Sequence, residues 1–190
     1  MRDLTVDTAD FAFKARIEQG KDGEHTFAQL SIRIGDVIFG DPDAWSLSGT
    51  IARLSQDLLA RLQSQVMATP ALRTFLAGLP AQALLDALED RLHRTGGWAY
   101  EAEYPLGDVR AEAFVALPEG TPIFDGEAAY LVLAPEGSSR MVWRDLASKE
   151  LHERMIDGAA YLRQLALFLV EFRMAADAIK RSADDPSRTG

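Results

Sequence analysis

Two segments near the start of the chain alternate apolar and polar residues, and this alternation is the strongest constraint on the fold. Residues 11–18 and 27–34 place an apolar side chain at every second position, which is the period of a half-buried β-strand. Between them, Asp22-Gly23 is typical of a two-residue type I′ turn, in which both central residues have a positive φ. This turn pairs Lys21 with Glu24, and a slip of one residue would expose one strand's apolar set. The same register brings four apolar pairs together: Phe11–Ile34, Phe13–Ile32, Ala15–Leu30 and Ile17–Ala28.

A second hairpin is predicted over residues 98–117, with its turn at 105–108. Pairing Tyr104 with Val109 places the apolar side chains of both arms on one face. The opposite face is then polar, with two pairs: Glu103–Arg110 and Glu101–Glu112.

Residues 128–134 and 139–144 predict a third hairpin around the turn 135–137, with Tyr130 near Trp143. Both faces of these arms are apolar, so we expect the pair to be central in a sheet and covered on both sides. One more strand is predicted over residues 150–156.

Apolar residues spaced by three and four predict helices over 50–67, from Pro80 to about residue 95, and over 158–180. The first helix carries this apolar stripe: Ile51, Leu54, Leu58, Leu62 and Val66. The order of elements predicts an α+β fold, a mainly antiparallel sheet built from hairpins with helices packed on it, including a long buried C-terminal helix. We expect a single domain over 1–181 and a disordered tail over 182–190.

Composition and local hydropathy exclude several classes of protein. The 190 residues include no cysteine, which excludes disulfides, zinc–thiolate sites and thiol nucleophiles. Residues 1–10 contain three aspartates and no apolar run, so we expect no signal peptide and a mature chain that begins at Met1. The densest apolar stretch, 165–170, is far shorter than the roughly 20 residues that span a bilayer. We therefore expect a cytoplasmic protein that does not bind membranes.

The net charge is −9, and the excess is uneven along the chain. Residues 1–50 hold nine acidic and five basic side chains, and residues 101–150 hold ten and four. Such a field repels nucleic acid and attracts basic proteins. We therefore expect no nucleic-acid partner.

Motifs for common enzyme classes are missing from the sequence. It contains no phosphate-binding loop, no dinucleotide-binding G-x-G-x-x-G and no G-x-S-x-G nucleophile elbow. His152, with Glu150 and Glu153 beside it, could act as a metal ligand or general base, but it lacks the further ligands that a metal needs. The sequence thus predicts no cofactor, no metal and no catalytic residue.

Glu101, Glu103 and Glu112 are clustered carboxylates on the predicted second hairpin. Neighbours on one strand face lie roughly 7 Å apart, which is compatible with the paired carboxylates of a glycosidase. The alternatives are an exposed polar sheet face or a docking surface for a basic protein, whose charge would neutralise the glutamates.

A second acidic group, Asp36, Asp41 and Asp43, follows the first hairpin. Calcium binding is one interpretation, but the spacing does not fit an EF-hand loop. The other is a connection in which the aspartates form local hydrogen bonds with the backbone.

Three stretches of the sequence resemble small bacterial immunity proteins, the cognate antitoxins of polymorphic and contact-dependent growth-inhibition toxins. In those families a strand with a small turn precedes an amphipathic helix, and a late strand has the pattern Arg, two apolar residues, Trp. The matching stretches are Leu30-Ser31-Ile32-Arg33-Ile34-Gly35-Asp36, then Ile38-Phe39-Gly40-Asp41 leading into helix residues 47–62, and Ser139-Arg140-Met141-Val142-Trp143-Arg144.

The resemblance implies a non-enzymatic protein that binds and neutralises one basic toxin domain. An acidic inhibitor of a basic toxin gains association rate from long-range attraction. The hypothesis places six residues in the partner-binding surface: Asp36, Asp41, Asp43, Glu101, Glu103 and Glu112. We expect a monomer or a weak homodimer.

Two other functions remain open. One is an acidic secretion chaperone or adaptor that binds an effector protein and dimerises through a helix, for which the apolar segment 165–172 is available. The other is a hydrolase that uses Glu101 and Glu112.

Overall fold

The computed structural model describes residues 1–93, 98–106, 109–134, 138–145 and 147–183. The strands are β1 (Arg2–Asp7), β2 (Phe11–Gln19), β3 (Thr26–Ile34), β4 (Val37–Phe39), β5 (Ser46–Leu47), β6 (Ala128–Val132), β7 (Ser139–Arg144) and β8 (Leu151–Ile156). The α-helices are α1 (Ser48–Ser64), α2 (Pro70–Gly78), α3 (Ala81–His93) and α4 (Gly158–Ala183). Short 3₁₀ helices span Gln65–Met67, Ala111–Phe114 and Pro122–Phe124.

These elements confirm the predicted α+β class, since antiparallel sheets combine with helices that include the C-terminal one. The chain forms two compact units. The first comprises Met1–Gln56, Pro118–Asp125 and the described residues from Arg163 onward. The second comprises the described parts of Asp57–Leu117 and Gly126–Leu162.

A single domain over 1–181 stays a prediction. Of the predicted tail, Ser182 and Ala183 belong to α4, and residues 184–190 lie outside the described residues.

The first unit contains a five-stranded antiparallel sheet with strand order β1-β2-β3-β4, in which β5 also pairs with β3. The predicted register of the first hairpin is confirmed, because Phe13 pairs with Ile32 and Ala15 with Leu30. All four predicted pairs are buried. Their burial on one face fixes the register, since a shift of one residue would bring polar side chains into the core.

The predicted two-residue turn of this hairpin is wrong. The strands end at Gln19 and resume at Thr26, and only Gly23 in the connecting loop has a positive φ, of 73°. Asp22 accepts hydrogen bonds from the backbone N–H of Glu24 (3.1 Å) and of His25 (3.2 Å). Lys21 and Glu24 are therefore loop residues, because the Asp22 carboxylate satisfies the donors that a tight turn would have paired across the strands.

Strand β1 has no counterpart among the sequence predictions. It pairs along its whole length with β2, from Arg2 opposite Ile17 to Asp7 opposite Ala12. Only Val6 of this strand is fully buried, so its apolar signal is weak.

The predicted C-terminal helix is confirmed as α4. In the first unit Phe168 and Phe172 are buried, and the Phe168 ring stacks on Phe13 of β2 with 5.5 Å between the ring centroids. The part of the chain that the structure describes contains no helix long and apolar enough to cross a membrane.

The second unit contains a three-stranded antiparallel sheet with strand order β6-β7-β8. The third predicted hairpin and the additional strand are confirmed, and most residues of β6 and β7 are buried on both faces. The register is one residue from the predicted one, because Tyr130 lies opposite Val142 and Trp143 lies opposite Ala129. The predicted turn, 135–137, lies outside the described residues.

The predicted hairpin over 98–117 is wrong. Residues 99–103 form turns, Ala111–Phe114 is a 3₁₀ helix, and Tyr104 and Val109 are not paired in a strand. Val115 makes an isolated antiparallel bridge to Tyr130. Residues 113–117 are all apolar and all buried, so this segment has no polar face that a half-exposed hairpin could present to water.

The helix predicted over 50–67 is confirmed as α1 with its 3₁₀ extension, but the end of its apolar stripe is wrong. Val66 is 66% exposed, whereas Gln65 is fully buried. The tighter 3₁₀ turn rotates the side chains relative to the α-helical spacing. Pro70 then begins α2, with Thr69 as its N-cap: the Thr69 hydroxyl accepts a hydrogen bond from the Leu72 N–H at 3.1 Å.

Two largely buried polar side chains connect elements of the second unit. Arg140 of β7 donates to the backbone oxygens of Ala77 (3.1 Å) and Leu79 at the end of α2, and also to the carboxylate of Glu153 on β8. The Tyr161 hydroxyl donates to the Ala116 oxygen at 2.8 Å. Both side chains therefore satisfy carbonyl groups outside the β-sheet pairing, at a partly buried place for Arg140 and at a buried one for Tyr161.

Candidate protein-binding surface

Three of the predicted partner-binding residues, Glu101, Glu103 and Glu112, lie in one stretch of the second unit. We call the described residues 98–106 and 109–112 the acidic–aromatic surface. All three glutamates are exposed. The predicted strand face is wrong: Glu101 and Glu103 lie on a compact turn, and Glu112 lies on a 3₁₀ helix.

The turn that carries Glu101 and Glu103 is held by its own hydrogen bonds. The N–H of Glu101 donates to the Trp98 oxygen (3.1 Å), and the N–H of Tyr104 donates to the Tyr100 oxygen (2.8 Å). The Trp98 indole is buried, and its Nε1 donates to the Tyr104 oxygen at 2.7 Å. The buried indole thus closes the turn from below and fixes the backbone from which both glutamates project.

Aromatic rings support the same turn from α2. Phe75 stacks on Tyr104, with 3.9 Å between the centroids and 5° between the ring planes. Tyr100 meets Phe75 edge-on at 4.9 Å. All three rings are half-buried, so the surface offers aromatic area beside the carboxylates of Glu101 and Glu103.

Glu101 and Glu112 share a depression of about 360 Å³. Arg91 and Arg110 line the same depression, and buried apolar residues, Val109 among them, line it as well. The two carboxylates are therefore balanced by two guanidinium groups. A glycosidase pair needs one carboxyl in an apolar pocket that holds its proton, and these exposed glutamates beside arginines do not have that environment.

A buried amide positions the 3₁₀ helix that carries Glu112. Gln65 Nε2 donates to the backbone oxygens of Ala113 (2.8 Å) and Leu131 (2.7 Å), and its Oε1 accepts from the Leu133 N–H (2.9 Å). Two residues before Leu131 on β6, the Ala129 oxygen accepts a hydrogen bond from the Ala116 N–H at 2.8 Å. The Gln65 amide therefore continues the backbone pairing along β6 and ties it to the segment that carries Glu112.

The other three predicted residues, Asp36, Asp41 and Asp43, are exposed in the first unit. Strand β4 separates Asp36 from the other two. The N–H of Asp43 donates to the Asp41 carboxylate at 2.8 Å, and the N–H of Asp41 donates to the Ile123 oxygen at 2.7 Å. The local hydrogen bonding that is the alternative to calcium binding is thus present at Asp41.

Gly40, which precedes this connection, has a φ of 101°. A Cβ atom there would lie 2.5 Å from the Leu30 backbone oxygen. Glycine is required at this position because any side chain would collide with the neighbouring strand.

Among the described residues, His152 does not belong to a group of metal ligands. His152 stacks on the Trp143 indole with 5.4 Å between the ring centroids, and Glu153 is engaged by Arg140. Within the described ranges, no three histidine, aspartate or glutamate side chains are arranged to hold a metal ion.

The sequence predictions missed a cleft of about 440 Å³ in the first unit. The start of α1 at Ser48–Thr50 and the α4 residues Phe172, Arg173 and Lys180 line it. Glu24 and Asp177 also line it, so its charges are mixed.

The excess negative charge divides between the two units. Counted over the full sequence, the first unit holds 15 acidic and 11 basic side chains, and the second holds 14 and nine. The acidic excess counted in residues 1–50 and 101–150 is therefore shared between the two units.

No protein-family model matches this chain, and no curated protein or solved structure matches it either. The fold and the surface together define an α+β protein that presents an acidic and aromatic patch on a firmly held turn.

Proposed function

We propose that this chain is an immunity-type protein that neutralises a basic toxin domain by binding it. The observation that carries the proposal is the exposure of Glu101 and Glu103 on a turn closed by the buried Trp98 and backed by stacked rings. Because hydrogen bonds hold the backbone of this turn, docking of a cationic partner costs little backbone entropy there.

The chemistry of the acidic–aromatic surface fits a lysine- or arginine-rich partner. Glu101 and Glu103 supply charge for ion pairs, and the half-buried Tyr100 and Tyr104 rings supply area for packing and for cation–π contacts. Arg91 and Arg110 add positive charge next to the glutamates. A mixed pattern of this kind discriminates between basic partners, because a wrongly placed cation meets an arginine.

The test starts from gene order, since an immunity gene is expected directly after the gene of its toxin. The basic C-terminal domain encoded by that preceding gene is the probe. We expect this protein to bind the domain, and co-expression to rescue growth of cells that produce it.

Charge reversal then locates the surface. Glu101→Lys with Glu103→Lys should slow association at least about tenfold and reduce its salt dependence, because long-range attraction depends on these charges. Glu150→Lys with Asp86→Lys changes two exposed acidic residues elsewhere in the same unit and shifts the net charge by the same amount, so it is the matched control and should act only through net charge. Association rates equal to those of the control would remove the two glutamates from the interface, and absence of any binding would refute the proposed function.

A secretion chaperone is the second candidate, and one observation favours it. The segment predicted for helix dimerisation is largely buried, but Leu167, Val170 and Met174 form an exposed apolar face on α4. An obligate dimer with a long apolar groove, detected by light scattering and by binding of an extended effector segment, would favour the chaperone over the immunity protein.

A further inference from the structure

One face of α4 is apolar and exposed. Leu167 is 46% exposed, Val170 56% and Met174 60%. The opposite face of this helix is buried in the first unit through Phe168 and Phe172. Because these three apolar side chains adjoin one another along the helix, they form a continuous patch and not scattered surface residues.

Charged residues extend the patch with the spacing of a helix–helix seam. Positions 163, 167, 170, 174 and 177 follow one another in steps of four and three residues, which is the repeat by which one helix packs along another. Arg163 and Asp177 stand at the two ends, each seven residues from Val170 and thus about 10 Å from it along the axis. The seam therefore has an apolar centre between charges of opposite sign.

We propose that this seam binds the α4 seam of a second copy of the chain, antiparallel, about a twofold axis at Val170. In that arrangement Arg163 of each copy lies opposite Asp177 of the other, so the two ends of the seam pair with complementary charge. A parallel arrangement would bring identical charges together at both ends. Arg163 already interacts within its own chain, and its guanidinium group has five N–H donors, so it can also donate to a second partner.

The size of the seam sets the strength of the association. Three partly exposed apolar side chains per copy bury far less than the roughly 800 Å² per partner that a stable complex uses. The dimer is therefore weak and reversible, and it forms at high protein concentration. The inference does not rest on the proposed function, since it uses α4 alone and no part of the acidic–aromatic surface.

Sedimentation equilibrium of the full chain, from about 10 µM to about 1 mM, tests the association. The mass should rise from the monomer value of 20.9 kDa towards twice that value. Val170→Glu places two carboxylates at the twofold axis and should weaken association by more than about tenfold. Val66→Glu is the matched control, because Val66 is also an exposed valine but lies outside α4, and it should associate like the unmodified chain.

Charge exchange tests the antiparallel register. Asp177→Arg alone should weaken association about two- to fivefold, and Asp177→Arg with Arg163→Asp should restore it. Far-UV circular dichroism verifies that each variant keeps its helices, and Met174→Glu replaces Val170→Glu if that variant does not. A chain that is monomeric at the highest concentration, a Val170→Glu variant that behaves like Val66→Glu, or a double exchange as weak as the single one would each overturn the proposal.

Discussion

The buried amide of Gln65 can be tested directly for its role in holding the segment that carries Glu112. Gln65→Met keeps the side-chain length and the apolar contacts of the stem but removes all three hydrogen bonds of the amide. The oxygens of Ala113 and Leu131 and the N–H of Leu133 lose their partner. Because Gln65 is fully buried, water does not reach these groups to replace it.

The cost follows from the number of groups left without a partner. Each buried unsatisfied backbone group costs about 1–3 kcal/mol, and the apolar methionine recovers part of that sum. We expect a net loss of about 3–5 kcal/mol in the free energy of unfolding of the second unit. That is a large fraction of the roughly 5–15 kcal/mol that holds a typical domain together.

Urea unfolding followed by tryptophan fluorescence measures this loss, because Trp98 and Trp143 are both buried in the second unit. Gln63→Met, an exposed position on α1, is the matched control and should change stability by less than about 0.5 kcal/mol. A loss below about 1 kcal/mol for Gln65→Met would refute the assignment of three essential hydrogen bonds to this amide.

Three further results are expected from the buried polar groups of the second unit. Arg140→Met should lower the free energy of unfolding in urea by about 2–3 kcal/mol, because two carbonyl oxygens at the end of α2 lose their donor. Glu153→Gln should lower it by less than about 1 kcal/mol, because that carboxylate is half-exposed. Equal losses would mean that the ion pair and not the α2 contact dominates. Tyr161→Phe should cost about 1–2 kcal/mol by leaving the Ala116 oxygen unpaired, and stability equal to the unmodified chain would contradict this. Burial raises the pKa of the Tyr161 hydroxyl, so this group loses its proton at a lower pH in the unfolded chain than in the folded one. The free energy of unfolding should therefore not depend on this group below about pH 10, and should fall above it by up to about 1.4 kcal/mol per pH unit. Tyr161→Phe should remove this additional slope.

The parts of the fold that could be predicted are those whose partners lie close in the sequence. In the β2–β3 hairpin, Ile17 and Ala28 are joined by a short loop, and their alternating neighbours specify the register without further information. The loop itself was predicted wrongly, because the Asp22 carboxylate competes with the cross-strand hydrogen bonds of a tight turn. Periodicity reports which side chains are buried, and it does not report which polar group satisfies the backbone at a turn.

The support of the candidate surface could not be predicted because it comes from distant parts of the chain. Gln65 is separated by 48 residues from Ala113 and by 68 from Leu133, and nothing in the local pattern of α1 marks it as buried. The spacing of apolar residues by three and four assigns Val66 to the core instead, because it assumes that the α-helix continues where the 3₁₀ turn begins.

Residues 98–117 show how an alternating pattern can describe the wrong element. Ala111, Ala113 and Val115 alternate with other residues and so fit a strand, yet Phe114 before Val115 and Ala116 after it are equally buried. The five apolar residues from 113 to 117 must be buried on all sides, and a half-exposed hairpin would leave one side in water. In the structure, a bridge to β6 and a hydrogen bond from the Gln65 amide hold this segment. The glutamates that were assigned to a strand face therefore stand on the turn and the 3₁₀ helix flanking that buried run. The backbone that carries these glutamates is thus held by contacts of Trp98 and Gln65, which an alternation of apolar and polar residues does not report.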